Sequence, residues 1–129
     1  MERHGWHLLF HECLVEQLQK LNAAAARAQA QDPKGWESNA NVKLFNALSA
    51  FIFETVPSDP SRDEYRQGNT MGPAFRHWRR AKIGRRFRLF FRFDSKSRII
   101  IFAWVNDEHS LRSSGHPPDD WDALLAASL

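Results

Sequence analysis

Residues 77–93 read HWRRAKIGRRFRLFFRF, two runs of alternating side chains separated by Gly84-Arg85-Arg86. In the second run Phe87, Leu89, Phe91 and Phe93 share one side and Arg88, Phe90 and Arg92 the other, because successive side chains of a strand point in opposite directions. In the first, Trp78, Arg80 and Lys82 fall together. The spacing predicts strands from His77 to Ile83 and from Phe87 to Phe93, with a connection short enough for an antiparallel hairpin. A third strand, Arg98 to Val105, follows Asp94-Ser95-Lys96-Ser97. Its Ile99, Ile100, Ile101 and Phe102 are apolar on both sides, as a central strand requires.

Towards the N-terminus the period changes. Trp6 to Phe10 suits a short first strand, and Leu14, Leu18, Leu21, Ala25 and Ala28 recur at helical spacing in a helix that ends by Gln31. Asp32-Pro33 is a turn or a new N-cap. A second helix turns Val42, Phe45, Leu48, Ile52 and Thr55 or Val56 to the core, and Pro57-Ser58-Asp59-Pro60 stops it. The polar run to Pro73 reads as a loop, a short helix is expected to start at Asn106-Asp107, and another at Pro117 to Trp121. The expectation is a single α+β domain over residues 1–129, with two N-terminal helices on one face of a small antiparallel sheet and a short C-terminal helix. The other face is left partly open and basic.

Composition fits a globular domain: 129 residues, 43% hydrophobic, with ten Phe and five Trp. The lone Cys13 can form no internal bridge, which suggests a reducing compartment. Polar residues His4, His7, His11 and Glu12 break up the N-terminal apolar stretch, and no segment has the apolar length to span a bilayer, so a cytoplasmic protein without a membrane partner is expected. The net charge of +3 conceals a strong asymmetry. Between Glu64 and Asp94 there is no acid, while Arg66, Arg76, Arg79, Arg80, Lys82, Arg85, Arg86, Arg88 and Arg92 supply nine of the 18 basic residues. The rest of the chain sets the other nine against 15 acids. Like charges so concentrated repel one another unless an anion neutralises them.

The arginine fork meets phosphate oxygens in pairs, and lysine supplies a point charge. Arg80, Lys82, Arg88 and Arg92 on one face, with Arg85 and Arg86 at the hairpin tip, would surround a phosphodiester. Trp78 and Phe90 between them are candidates to stack on unpaired bases, the combination used for single-stranded nucleic acid. A merely solvated basic face, or arginines satisfied by the acidic helices, is the alternative. His7 and His11 lie four apart without a third ligand at metal-site spacing, so no metal site is assigned. His77 and His109 flank the basic strands. No Gly-rich phosphate loop, CxxC, HExxH or nucleophile elbow is present.

The stretch RQGNTMGPAFRHWRRAKIGRRFRLFFRFDSKSRIIIFAWVNDEHSLRSSG, residues 66–115, resembles the YhaV-type toxins of bacterial type II toxin-antitoxin systems, in the RelE-like superfamily. GWHLLFHECL near the N-terminus and GHPPDDWDALL near the C-terminus are similar to that family too. Relatives usually carry a further helical stretch between the segments matching Leu111 to Gly115 and His116 to Trp121, which here nearly abut. The resemblance implies a RelE-like fold and an mRNA-cleaving endoribonuclease, acting without metal or other cofactor and often on the ribosome. It also implies a cognate PrlF-type antitoxin, with operator DNA bound only through the antitoxin complex.

Carried onto this chain, the catalytic cations of the family fall on Arg80, Lys82 and Arg88, with His109 the alternative group for proton transfer. Arg79, Arg85, Arg86, Arg92 and Arg112, with Asn106 and Asp107 at the end of the last strand, join Trp78 and Phe90 as expected RNA contacts. Arg80 and Arg88 would grip the non-bridging phosphate oxygens and Lys82 would take the 2'-OH proton, leaving a 2',3'-cyclic phosphate. The competing function is a non-catalytic single-stranded RNA-binding module built from the same arginines.

Overall fold

The computed structural model describes residues 1–66 and 78–107 of the chain. It opens with a small hairpin, β1 (Glu2–Arg3) and β2 (Trp6–Phe10). Helix α1 (Glu12–Gln31) follows at once, and the His11 Nδ1 atom caps it by accepting the Cys13 N–H at 3.1 Å. The helix ends where its apolar period ends. Asp32-Pro33 is a turn: the Asp32 carboxylate accepts the Gly35 N–H at 3.0 Å. The next N-cap is instead Asn39, whose Oδ1 accepts the Asn41 N–H at 2.8 Å and opens α2 (Ala40–Ala50). The helical path continues through a wide turn, Phe51–Thr55, in which the Val56 N–H reaches back five residues to the Phe51 carbonyl, and closes in α3 (Val56–Ser58). Pro57 has no N–H to return to the turn before it, and this local widening absorbs the mismatch.

Strands β3 (Arg79–Ile83), β4 (Phe87–Asp94) and β5 (Ile99–Asp107) form the expected antiparallel meander. The sheet is larger than that meander and mixed. Its order is β1-β2-β5-β4-β3, with β2 parallel to β5 from His7↔Ile99 to Phe10↔Phe102. A parallel partner needs a long return path, which the two helices provide. β5 thereby becomes a central strand, and Ile99 to Phe102 are all buried, as apolarity on both faces demands. Asn106 and Asp107 belong to β5, so no helix begins there. The expected helix at Pro117 to Trp121 lies outside the described residues, and so does His77.

The described helices pack on one face of the sheet. Leu14, Leu48, Ile52 and Val56 pack there against Leu8, Leu89, Phe91, Ile100 and Phe102, with Ala81 and Ile83 completing the floor on the β3 side. No helix among the described residues is long and apolar enough to cross a membrane. At the far hairpin the Asp94 carboxylate accepts the hydroxyl and the N–H of Ser97, and those two bonds hold it below the ordinary carboxylate range. At the near hairpin Gly84 has φ +63 and open space around it, so conformation alone asks for glycine. Gly84→Ala should cost about 1 kcal/mol, the left-handed penalty of a side chain. Thermal denaturation should show it as a lower midpoint with an unchanged folded spectrum.

Candidate active site

The face opposite the described helices is built by register. Lys82 pairs with Arg88, and Arg88 pairs with Asn106 across β3, β4 and β5. One step along, Arg80, Phe90 and Trp104 form a second row. Residues directly opposite on one face have Cβ atoms about 5 Å apart, so each row is a contiguous strip of side chains. Placing Lys82 against Arg88 is unfavourable by itself. Arg80 is half-buried and Lys82 exposed, and neither has an ion pair among the described residues.

A β-bulge sets the third member of each row. The register shifts between Phe90 and Phe91, so that Trp104 pairs with Phe90 but Phe102 with Phe91, and Ala103 is the extra residue. Without it, strict alternation from Phe102 would send Trp104 to the helix side and Val105 to the outer face. With it, Val105 joins the helix-side core while Trp104 and Asn106 turn outward. The strand is held in that register from its open edge. Beyond Phe102 it has lost its β2 partner, and Gln17 of α1 replaces it: its Nε2 donates to the Val105 carbonyl and its Oε1 accepts the Val105 N–H, both at 2.9 Å. Gln17→Leu orphans both backbone groups and should cost about 2 kcal/mol in denaturant unfolding.

Beneath the cations lies a second small core of Trp78, Phe90, Ala103 and Trp104. Phe90 and Trp104 stack with centroids 4.1 Å apart and planes 4° from parallel, and Trp78 meets Trp104 edge-on at 5.7 Å. The Arg92 guanidinium lies 5.5 Å from the Trp78 ring centre. This corrects the expectation of an open stacking surface. Trp78 is 2% exposed and Phe90 3%, so their rings are committed to one another and not free for bases. Arg88 is the one charged side chain buried among the described residues, 8% exposed, and its Nη1 donates to the Phe87 carbonyl at 2.9 Å. Burying a guanidinium is costly unless its donors are used, which makes this a position under strong constraint. Nearby, the Trp104 indole N–H and the Asn106 Oδ1 are buried and meet no hydrogen-bond partner among the described residues.

The other expected site residues divide by place. Arg79 lies on the opposite face from Arg80 and Lys82, half-buried with its guanidinium 5.3 Å from the Phe93 ring centre. Burial, then the neighbouring Arg66, lowers its pKa, while Asp63 opposes both. It is therefore separated by the sheet from the basic strip, because alternation puts it in phase with Ala81 and Ile83. Arg85 and Arg86 stand exposed at the hairpin tip, with Arg86 5.1 Å from the Phe87 ring centre. Asp107 ends β5 opposite Phe87. His109 and Arg112 lie outside the described residues. Trp104 and Gln17 were missed by sequence reasoning: a bulge and a side chain that imitates a strand leave no periodic signal. Among the described residues no group of three or more His, Cys, Asp or Glu could hold a metal ion.

Residues 8–116 match a family described as a toxin with endonuclease activity, of a toxin-antitoxin system. The chain is 33% identical over 138 residues to "Ribonuclease toxin YhaV" of Escherichia coli K12, covering 93% of this chain and 90% of that one. "Toxin YhaV" of Escherichia coli O6:H1 is similar to the same degree, with the same coverage. Among solved structures, the toxin-antitoxin complex RelBE2 of Mycobacterium tuberculosis superposes with a TM-score of 0.53 over 81% of this chain and 93% of that one. At 15% identity the likeness is one of fold alone.

Proposed function

The chain belongs to the YhaV family of toxins with endonuclease activity from toxin-antitoxin systems, and from that premise we propose that it cuts RNA by metal-independent attack of the 2'-hydroxyl on the neighbouring phosphate. The observation that carries this reading is the strip Lys82, Arg88, Asn106 beside Arg80, in which three cations and a buried amide oxygen share the face of the sheet opposite the described helices. RNA supplies its own nucleophile, so the protein has only to align it, move protons and stabilise charge.

In this mechanism the 2' oxygen forms a bond to phosphorus as the bond to the 5' oxygen breaks. Lys82 is the candidate to take the 2'-OH proton, and the departing 5' oxygen is protonated in turn, with His109 the candidate for that transfer. Arg88 and Arg80 hold the non-bridging oxygens, whose charge grows in the transition state. The products are a 2',3'-cyclic phosphate and a 5'-hydroxyl. The substrate is mRNA, met on the ribosome, in the cytoplasm. A PrlF-type antitoxin blocks the toxin, and operator DNA is reached only through that complex. An acidic segment with apolar anchors would fit the basic strip and silence it.

The test is cleavage of a translated mRNA by the purified protein with EDTA present, with and without ribosomes, beside Lys82→Ala. Cuts that disappear in the variant, and at sites bearing a 2'-deoxy substitution, would support the mechanism. Intact RNA in every lane, with salt-sensitive binding retained, would leave a binding module without chemistry.

A further inference from the structure

At the outer edge of β3, beside the Lys82 end of the first row, lies a cavity of about 410 Å³ lined by Phe51, Thr55, Arg62, Glu64, Tyr65 and Lys82. It exists because two local irregularities coincide. The wide turn of α2 brings Phe51 and Thr55 to one wall. The segment after α3 forms the other, held by Asp59, which accepts the N–H and hydroxyl of Ser61, and by the pairing of Arg66 with Arg79 on β3. Tyr65 is 3% exposed and packs edge-on against Phe91 at 5.4 Å. Arg62 and Glu64 face each other at 3.6 Å.

We propose that this cavity holds one nucleotide of the RNA strand, next to the phosphate under attack. The inference rests on the ribonuclease reading for the strand's path, and on the cavity's own chemistry for its content. Its volume lies in the range of small-molecule sites. Half-buried Phe51 offers a flat wall to a base, Arg62 suits a flanking phosphate, and Glu64 and Thr55, which also line the cavity, would read a base edge. Lys82 belongs to the cavity lining and also to the strip with Arg88, so a nucleotide here adjoins the reacting phosphate. A carboxylate only accepts hydrogen bonds. It therefore favours bases with an exocyclic amine and disfavours uracil, whose single N–H is flanked by two carbonyl oxygens.

The experiment is an amide NMR titration of the full chain with each of the four 5'-nucleoside monophosphates, with RNA cleavage by the same preparation measured alongside. Shifts are expected at Thr55, Glu64, Tyr65 and Lys82, with UMP binding weakest. Arg62→Ala should weaken binding about tenfold, as loss of one charge-assisted contact would. Glu64→Gln should remove the discrimination against UMP while the spectrum remains that of the folded protein. Absence of shifts at these amides, or shifts confined to other surfaces, would overturn the proposal even where RNA is cut. Shifts there without cleavage would keep the nucleotide site and remove the catalytic reading instead.

Discussion

Arg88→Ala is expected to slow RNA cleavage by about 100- to 1000-fold, the loss seen when one preorganised donor to a developing oxyanion is removed. Three features put the effect on this residue. It is buried at 8% exposure, it sits between Lys82 and Asn106, and its anchor on the Phe87 carbonyl leaves the guanidinium little freedom to miss its target. Preorganisation of this kind is why such a donor contributes more here than in water. Arg88→Lys should recover only part of the rate, since a point charge cannot hold two oxygens at once. Single-turnover cleavage under saturating protein separates the chemical step from binding. A rate within threefold of wild type for Arg88→Ala, with circular dichroism unchanged, would move transition-state stabilisation to Arg80.

The second large effect is on stability. Trp104→Ala should cost about 3–5 kcal/mol, the range for removing a buried large aromatic side chain. Trp104 is 3% exposed, stacked on Phe90 at 4.1 Å and met by Trp78 at 5.7 Å, so its loss leaves two aromatic partners facing a void. For a domain of this length the melting midpoint should fall on the order of 10–15 °C. Trp104→Phe, which keeps a ring in the stack, should lose less than half of that. Equal losses for both variants would mean that the volume of the larger indole, which a phenyl ring cannot fill, matters more than keeping a ring in the stack.

Much of this architecture was legible in the sequence where local patterns decide the outcome. The alternation of Phe87, Leu89, Phe91 and Phe93 placed four side chains on the helix side, and the short Gly84-Arg85-Arg86 connection fixed the hairpin. The apolar period of α1 stops at Gln31, as the helix does. Long-range pairings were not legible. Nothing in WHLLF says that it will run parallel to β5, because a strand's partner is chosen by the packing of the whole domain. For the site, the same period-two reading correctly put Arg80 and Lys82 with Arg88. It erred where context overrides alternation. Adjacent arginines 79 and 80 share a charge but not a face, and Trp78 and Phe90 were treated as surface although each ring covers part of one small core. The bulge at Ala103 shows the limit most clearly: one residue moved Trp104 and Asn106 across the sheet without altering composition or charge.

The parallel pairing of β2 with β5 also sets a schedule for the chain as it is made. Residues 6–10 leave the ribosome early, yet their parallel partner is Ile99–Phe102, so this pairing must wait for nearly all of the chain described here. The β3–β4 hairpin can form earlier, but it then lacks Trp104 under its cations and Asn106 beside Arg88. A growing chain therefore completes this face of the sheet only once it has passed Asp107.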